Sequence, residues 1–263
     1  MALTTPMTDI PAPRIGVLGC GNIATIIAQH NLNIDIVAVY DRHPDRAEHL
    51  AGIWGARACK NLAQFIEHDM DFVLELASIG AVEDHAVEIL QHGKKLILLS
   101  VGALANEILR ARLINTAQEY RLSVRIPSGA LFGLDNLKIG RLSPFDQLLL
   151  RTTKSPDSLG ISTDSRQCLF NGSASECIEQ YPKNVNVAVA LGLAAACEAR
   201  VELWVDPQIT QNRHEILIQG EFGQSEIKIS NLPCPDHPAT SYLAALSVMA
   251  LLEGLNDVLT IGT

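Results

Sequence analysis

Short apolar runs separated by stretches of helical period set the rhythm of the first half of the chain. Arg14–Leu18, Ile34–Tyr40, Ala56–Cys59, Asp71–Glu75, Leu96–Leu99 and Ser123–Ile126 read as strands. Leu96–Leu99 is continuously apolar, as a strand covered on both faces should be. Between them, Asn22–His30, Arg42–Ala51, Val82–His92 and Asn106–Tyr120 read as helices. Pro44 falls in the first turn of the second helix, and Gly93 is placed to cap the third. Ile108, Leu109, Leu113 and Ile114 give the fourth its apolar stripe. Strands and helices alternating in short units predict a parallel sheet with right-handed crossovers, a doubly wound α/β domain.

Beyond Pro127 the rhythm changes. Ser128–Asp135 is a glycine-spaced turn leading into a helix, and Gln147–Thr153 is a strand. Ser173–Tyr181 reads as a helix entered at Ser173, with Glu176 placed for a capping box. Asn184–Ala199 is an alanine-rich helix. Val201–Val205, His214–Gln219 and Ser225–Ser230 are strands, the last two joined as a hairpin through Gly220–Gly223. Thr240–Leu255 is a strongly apolar helix. This mixture predicts a second domain of α+β type.

The join between first strand and first helix carries the chemistry. Gly19 and Gly21 flank Cys20, with Asn22 and Ile23 opening the helix and Ala24 in the third small-residue position. In a Rossmann-type dinucleotide site, the first glycine permits the tight turn and the second lets the backbone approach a pyrophosphate. Asp41 ends the second strand 17 residues after Ala24, where an acid accepts hydrogen bonds from the adenosine ribose. The plain alternative is a glycine turn with no nucleotide. Strand, turn, helix, strand and acid in this order favour the nucleotide.

Composition narrows the classes. The 263 residues are 48% hydrophobic and 19% charged, an ordinary globular balance. A net charge of -9 argues against non-specific nucleic-acid binding, which needs basic surface. Met1–Pro13 has no basic start and no apolar block, so it reads as a loose tail and not a signal peptide. The apolar stretch Val185–Cys197 is shorter than the roughly 20 residues a bilayer needs. The six cysteines include no Cys-x-x-Cys pair, so neither a zinc cluster nor any other metal site is expected, and a cytoplasmic location is. Cys20 reads as a small filler beside the cofactor.

Several blocks together resemble the L-aspartate dehydrogenase family. They are Pro127–Asp135 (Pro-Ser-Gly-Ala-Leu-Phe-Gly-Leu-Asp), Tyr181–Ala188, Asp206-Pro207 and Asn212–Ile216. Lys154 with Ser158–Gly160, and Asn231–Pro233 with Pro238–Ser241, support them. The resemblance runs from the glycine loop to the last helix. It implies NAD(P)-dependent oxidation of L-aspartate to iminoaspartate, which hydrolyses to oxaloacetate and ammonia or feeds NAD biosynthesis. It implies a homodimer, a Rossmann domain of residues 1–127 with 237–263, and a substrate and dimerisation domain of residues 128–236. It places the catalytic histidine on His214 and cofactor contacts on Ala130 and Asn184. Ala24 departs from the glycine common in the family. Asp41 favours NAD by repelling a 2′-phosphate, yet Arg42 and Arg46 can meet one, so NADP use stays open.

Histidine suits proton transfer near neutral pH, since its unperturbed pKa is about 6.5. Asn184 and Asn186 have amides able to donate to a carboxylate or to the nicotinamide amide, and either can equally cap a helix. Two substrate carboxylates need a cationic or N–H-rich pocket. Lys154, Lys183, Arg213, Thr240 and Ser241 are the candidates, and the residues alone do not choose among them. Two rivals stand beside this reading: a related two-domain reductase for another amino or imino dicarboxylate, and an NAD(H)-binding sensor without catalysis.

Overall fold

The computed structural model describes residues 11–181, 185–234 and 237–262. The first domain runs β1 (Arg14–Leu18), α1 (Asn22–Ala28), β2 (Asp35–Tyr40), α2 (Pro44–Trp54), β3 (Arg57–Cys59) and α3 (Leu62–Ile66). It continues with β4 (Phe72–Glu75), α4 (Ile79–Gln91), β5 (Lys95–Leu98), α5 (Glu107–Glu119) and β6 (Val124–Arg125). The strands form one parallel sheet in the order β3-β2-β1-β4-β5-β6. The chain winds one way from β1 and the other way from β4. A crevice therefore opens above the carboxyl ends of these two strands.

Successive side chains of the sheet enter two different apolar layers, because a strand presents alternate residues to opposite faces. Leu18, Val73, Leu96 and Leu98 pack under α4 and α5, whereas Ile15, Val17, Leu74 and Ile97 pack under α1 and α2. This is why these strands read as unbroken apolar runs.

The second domain contains β7 (Phe145–Lys154), α6 (Pro156–Leu159), β8 (Gln167–Ser173), α7 (Ala174–Gln180), α8 (Val185–Ala195), β9 (Arg200–Val205), β10 (Asn212–Gly220) and β11 (Gly223–Asn231). Its sheet has the order β11-β10-β7-β9-β8, parallel between β7 and β9 and otherwise antiparallel. A two-stranded ribbon, β12 (Pro233–Cys234) and β13 (His237–Ser241), then leads into α9 (Tyr242–Glu253).

Two helices join the domains. Val189 and Ala190 of α8 pack into the first domain, while Ala188, Leu191 and Ala195 pack into the second. A helix apolar all round is buried on more than one side. On α9, Ala245, Val248, Met249 and Leu252 enter the layer of α1 and β1. Burial of each larger side chain contributes about 1.5–3 kcal/mol, so this return of the chain is firmly held.

Several element boundaries differ from the sequence pattern. Thr240 was expected at a helix start but lies in β13, because pairing with β12 extends the ladder to Ser241 and the helix begins at Tyr242. α8 stops at Ala195, where Ala196 takes a left-handed φ of +55°. The turn at Ser128–Asp135 enters a short 3-10 helix, Asn136–Arg141. α3 and β8 had no clear signature. The first is five residues capped by Asn61, and the second is an edge strand with a single buried residue, Phe170. The capping box at Ser173 and Glu176 is formed as expected.

Candidate active site

The glycine loop is shaped by two close approaches. Gly19 has φ +100°, and its N–H donates to the Tyr40 carbonyl at 2.8 Å. A Cβ there would stand 2.6 Å from the Ala77 backbone. Gly21 is the opposite case: a Cβ would meet nothing within 4 Å, because the residue fronts open space. The first glycine serves the turn and the second serves whatever lies over it. Gly19→Ala is expected to combine left-handed strain with a backbone clash, about 2–5 kcal/mol in all. A chemical melt and an NADH fluorescence titration should show both lower stability and binding weakened at least tenfold; an unchanged titration would refute the role of the turn.

Asp41 is held where its sequence position suggested, at the end of β2. Oδ2 accepts from the Cys20 N–H and Oδ1 from the His43 N–H, each at 2.7 Å. Burial, followed by the Asp41 charge, pushes the Cys20 thiol up to about 12. That keeps it protonated and unreactive, as a filler should be.

Above the loop is a cavity of about 820 Å³ that reaches from α1 and α2 to the second sheet. On its far wall stands His214, 4% exposed, paired across the ladder with Thr152. Its Nδ1 lies 3.0 Å from Thr152 Oγ1. Burial, and then the Lys154 charge, bring the imidazole down to about 4, so it is neutral at physiological pH. A hydroxyl can accept from Nδ1–H, which leaves the Nε2 lone pair as a base.

The floor is organised by a residue that the sequence did not single out. Glu75, 1% exposed, ends β4. Its Oε1 accepts from the Ala77 and Ser78 N–H groups and the Ser100 hydroxyl, and its Oε2 from the Ser100 N–H, all at 2.8–3.0 Å. Burial raises its pKa while these four donors lower it. One carboxylate thus ties together the loops after β4 and β5, which supply Leu76, Ala77, Ser100 and Val101 to the cavity. Its only trace in the sequence is an acid ending an apolar strand at the switch point.

The structure brings most of the expected residues together. Gly21, Asn22, Ile23, Ala130, Asn186 and His214 line the one cavity. Ala130 is fixed from two sides: its carbonyl accepts from Asn231 Nδ2 at 3.0 Å, and the Gly129 N–H donates to Ser247 Oγ at 2.9 Å. Asn186 Oδ1 accepts from the Gly102 N–H at 2.8 Å, which ties α8 to the first domain. Gly19 lies under the lining and Asp41 behind Cys20. Lys183 and Asn184 fall outside the described residues, as does the side chain of Thr240. Thr152, Asn231 and Ser247, like Glu75, were missed, because long-range hydrogen bonds leave no local pattern.

The comparisons with known proteins decide the family. Residues 135–255 match the family model described as "Aspartate dehydrogenase, C-terminal", and residues 15–127 match "Homoserine dehydrogenase, NAD binding domain". The L-aspartate dehydrogenase of Methanospirillum hungatei is 50% identical over 250 residues, covering 95% of this chain and 99% of the relative. That of Methanococcus maripaludis is 39% identical, with the same coverage. The crystal structure of aspartate dehydrogenase from Thermotoga maritima superposes with a TM-score of 0.81 at 27% identity, over 95% of this chain and 99% of that one.

The chain belongs to the aspartate dehydrogenase family. As a member it is a pyridine-nucleotide oxidoreductase with a Rossmann domain and a second, mixed-sheet domain. The residues present fit such a cofactor. Gly21 leaves open space, α1 begins without a side-chain cap, and the buried Asn22 Nδ2 has no partner among the described residues. Ala24, where the chain departs from the glycine common in the family, is fully buried, so its methyl group is absorbed in the core. Among the described residues no cluster of His, Cys, Asp or Glu could hold a metal ion, and no helix is long and apolar enough to cross a membrane.

Proposed function

We propose that the chain oxidises L-aspartate to iminoaspartate, with NAD as the preferred cofactor and NADP tolerated. The observation that carries this reading is the cavity itself, which joins the glycine loop to a buried, neutral histidine. When bound, the nicotinamide supplies the hydride acceptor. Gly19, Gly21, Asn22, Ile23 and Asp41 are the chain's contacts for the dinucleotide, with Ala130 and Asn184 near its reactive end. His214 takes a proton from the substrate amine or from water, and Thr152 holds its ring in the basic tautomer. Asn186, Lys183 and Thr240 are the expected substrate contacts; Asn186 has its carbonyl oxygen committed to Gly102, so only its NH₂ is left to donate.

Asp41 supports the NAD preference. Two backbone N–H groups hold its carboxylate in place, and a fixed negative charge there disfavours a 2′-phosphate. Arg46 lines the same cavity and offsets part of that penalty. Release of iminoaspartate would feed NAD biosynthesis, and its hydrolysis gives oxaloacetate and ammonia. A cytoplasmic location belongs to the same reading. The residue ranges 1–127 with 237–263 and 128–236 serve as the two domains. A homodimer belongs to the same reading.

The test is reductive amination of oxaloacetate with ammonia, run with NADH and NADPH in parallel. NADH consumption is expected, with NADH favoured over NADPH. Inert oxaloacetate beside strong turnover of 2-oxoglutarate or a cyclic imine would overturn the substrate, and NADPH preference would overturn the cofactor.

A further inference from the structure

Residues 128–131 form a tight turn where the chain leaves the first domain. The Leu131 N–H donates to the Ser128 carbonyl at 3.2 Å, and Gly129 takes φ +63°, a left-handed value that suits glycine. All four residues line the cavity. Leu131, 1% exposed, roots the turn in the apolar core of the second domain. A Cβ at Gly129 would meet nothing within 4 Å, so packing does not fix the tip. Two side chains far along the chain do.

Ser247 holds one peptide of the turn. Its hydroxyl donates to the Ala244 carbonyl at 2.8 Å, one turn earlier in α9. The oxygen is thereby left to accept from the Gly129 N–H at 2.9 Å. α9 packs into the layer of α1 and β1, so this bond refers the turn to the element that carries the glycine loop. Asn231 holds the next peptide. It ends β11 and is 4% exposed, and its Nδ2 donates to the Ala130 carbonyl at 3.0 Å. Across the ladder it pairs with Asn212, two residues before His214 on β10. Asn212 and His214 both line the cavity, whereas Asn231 and Ser247 stand behind its wall. A buried amide persists where it is hydrogen-bonded, and here the bond goes to the turn.

We infer that Asn231 and Ser247 are positioning residues for hydride transfer, holding the turn at 128–131 in register with both the glycine loop and His214. This rests on the reading above in which Ala130 lies near the reactive end of the nicotinamide. Ser247 sets the turn against the first domain, and Asn231 sets it against the strand pair that carries the histidine. Hydride transfer needs the donor carbon, the nicotinamide and the base aligned together, and a misplacement of about 1 Å costs about 100-fold. Binding of aspartate tolerates more, so the two residues act on the rate of transfer and little on affinity.

Single-turnover NADH formation, with full-length enzyme in excess over aspartate or Cα-deuterated aspartate, isolates the step. Ser247→Ala, and Asn231→Leu, which keeps the volume and removes the donor, should each slow the deuterium-sensitive phase about 10- to 100-fold. KM for aspartate and NADH affinity by fluorescence should stay within about threefold of wild type. Ser247→Thr keeps the hydroxyl and should recover most of the rate, although it crowds the site more than alanine does. A wild type inert toward aspartate and oxaloacetate would sink the reaction proposed above, and this role with it. An active wild type beside a variant whose deuterium-sensitive phase is unchanged would overturn the role of that residue alone. NADH binding and a melting midpoint that fall in step with the rate would mark a scaffold residue, and overturn it too.

Discussion

Replacing His214 by alanine is expected to slow aspartate oxidation by two to four orders of magnitude, the usual worth of a positioned acid–base group. NADH affinity should stay near wild type, because the imidazole stands on the second sheet, away from the glycine loop. Steady-state rates in both directions, with an NADH titration of the same preparation, check this; retention of full rate would remove His214 from proton transfer. The histidine also carries a pH signature. Its folded pKa, about 4, lies below the unfolded value of 6.5. The unfolded chain therefore binds this proton first as pH falls. The stability that comes from keeping the ring neutral is complete above pH 6.5 and lost as pH drops toward 4. The difference corresponds to about 3 kcal/mol, so acid melts of His214→Asn should lose correspondingly less stability over that window than wild type.

Glu75→Ala is expected to be the most damaging change outside the reacting centre. Truncation strands three backbone N–H groups and the Ser100 hydroxyl around an empty space, at about 3–5 kcal/mol. Two cavity loops lose their common anchor, so NADH affinity should fall along with the denaturation midpoint. Glu75→Gln provides the graded control. Its oxygen can keep the three donors at Oε1, while its NH₂ meets the Ser100 N–H, donor against donor. The expected cost is about 1–2 kcal/mol, since one hydrogen bond is lost. Equal behaviour of alanine, glutamine and wild type in both measurements would show that the carboxylate organises nothing.

How much of this could be read from the residues alone depends on the range of the interactions. The parallel sheet, the glycine loop and the acid at Asp41 follow from local rules: apolar runs, a turn that only glycine tolerates at φ +100°, a carboxylate at a strand end. α3 and β8 were not legible because one is too short to show a helical period and the other is an edge strand with one buried residue. The start of α9 was misplaced because a two-residue ladder to β12 outweighs the helical pattern at Thr240 and Ser241.

The same division runs through the site. The sequence by itself determined the cofactor loop, the histidine as a candidate base and, through blocks spread along the chain, the family. Only the tertiary structure decided that His214 rests on Thr152, that Glu75 binds two loops into one floor, and that Ala130 is held by Asn231 and Ser247. It also decided between two cations of the second sheet: Lys154 shares the histidine's wall and Arg213 does not. Each of these depends on partners far apart in the chain, or on which face of a sheet a residue occupies. A strand's face is set by register with its neighbours, and register is a property of the folded sheet.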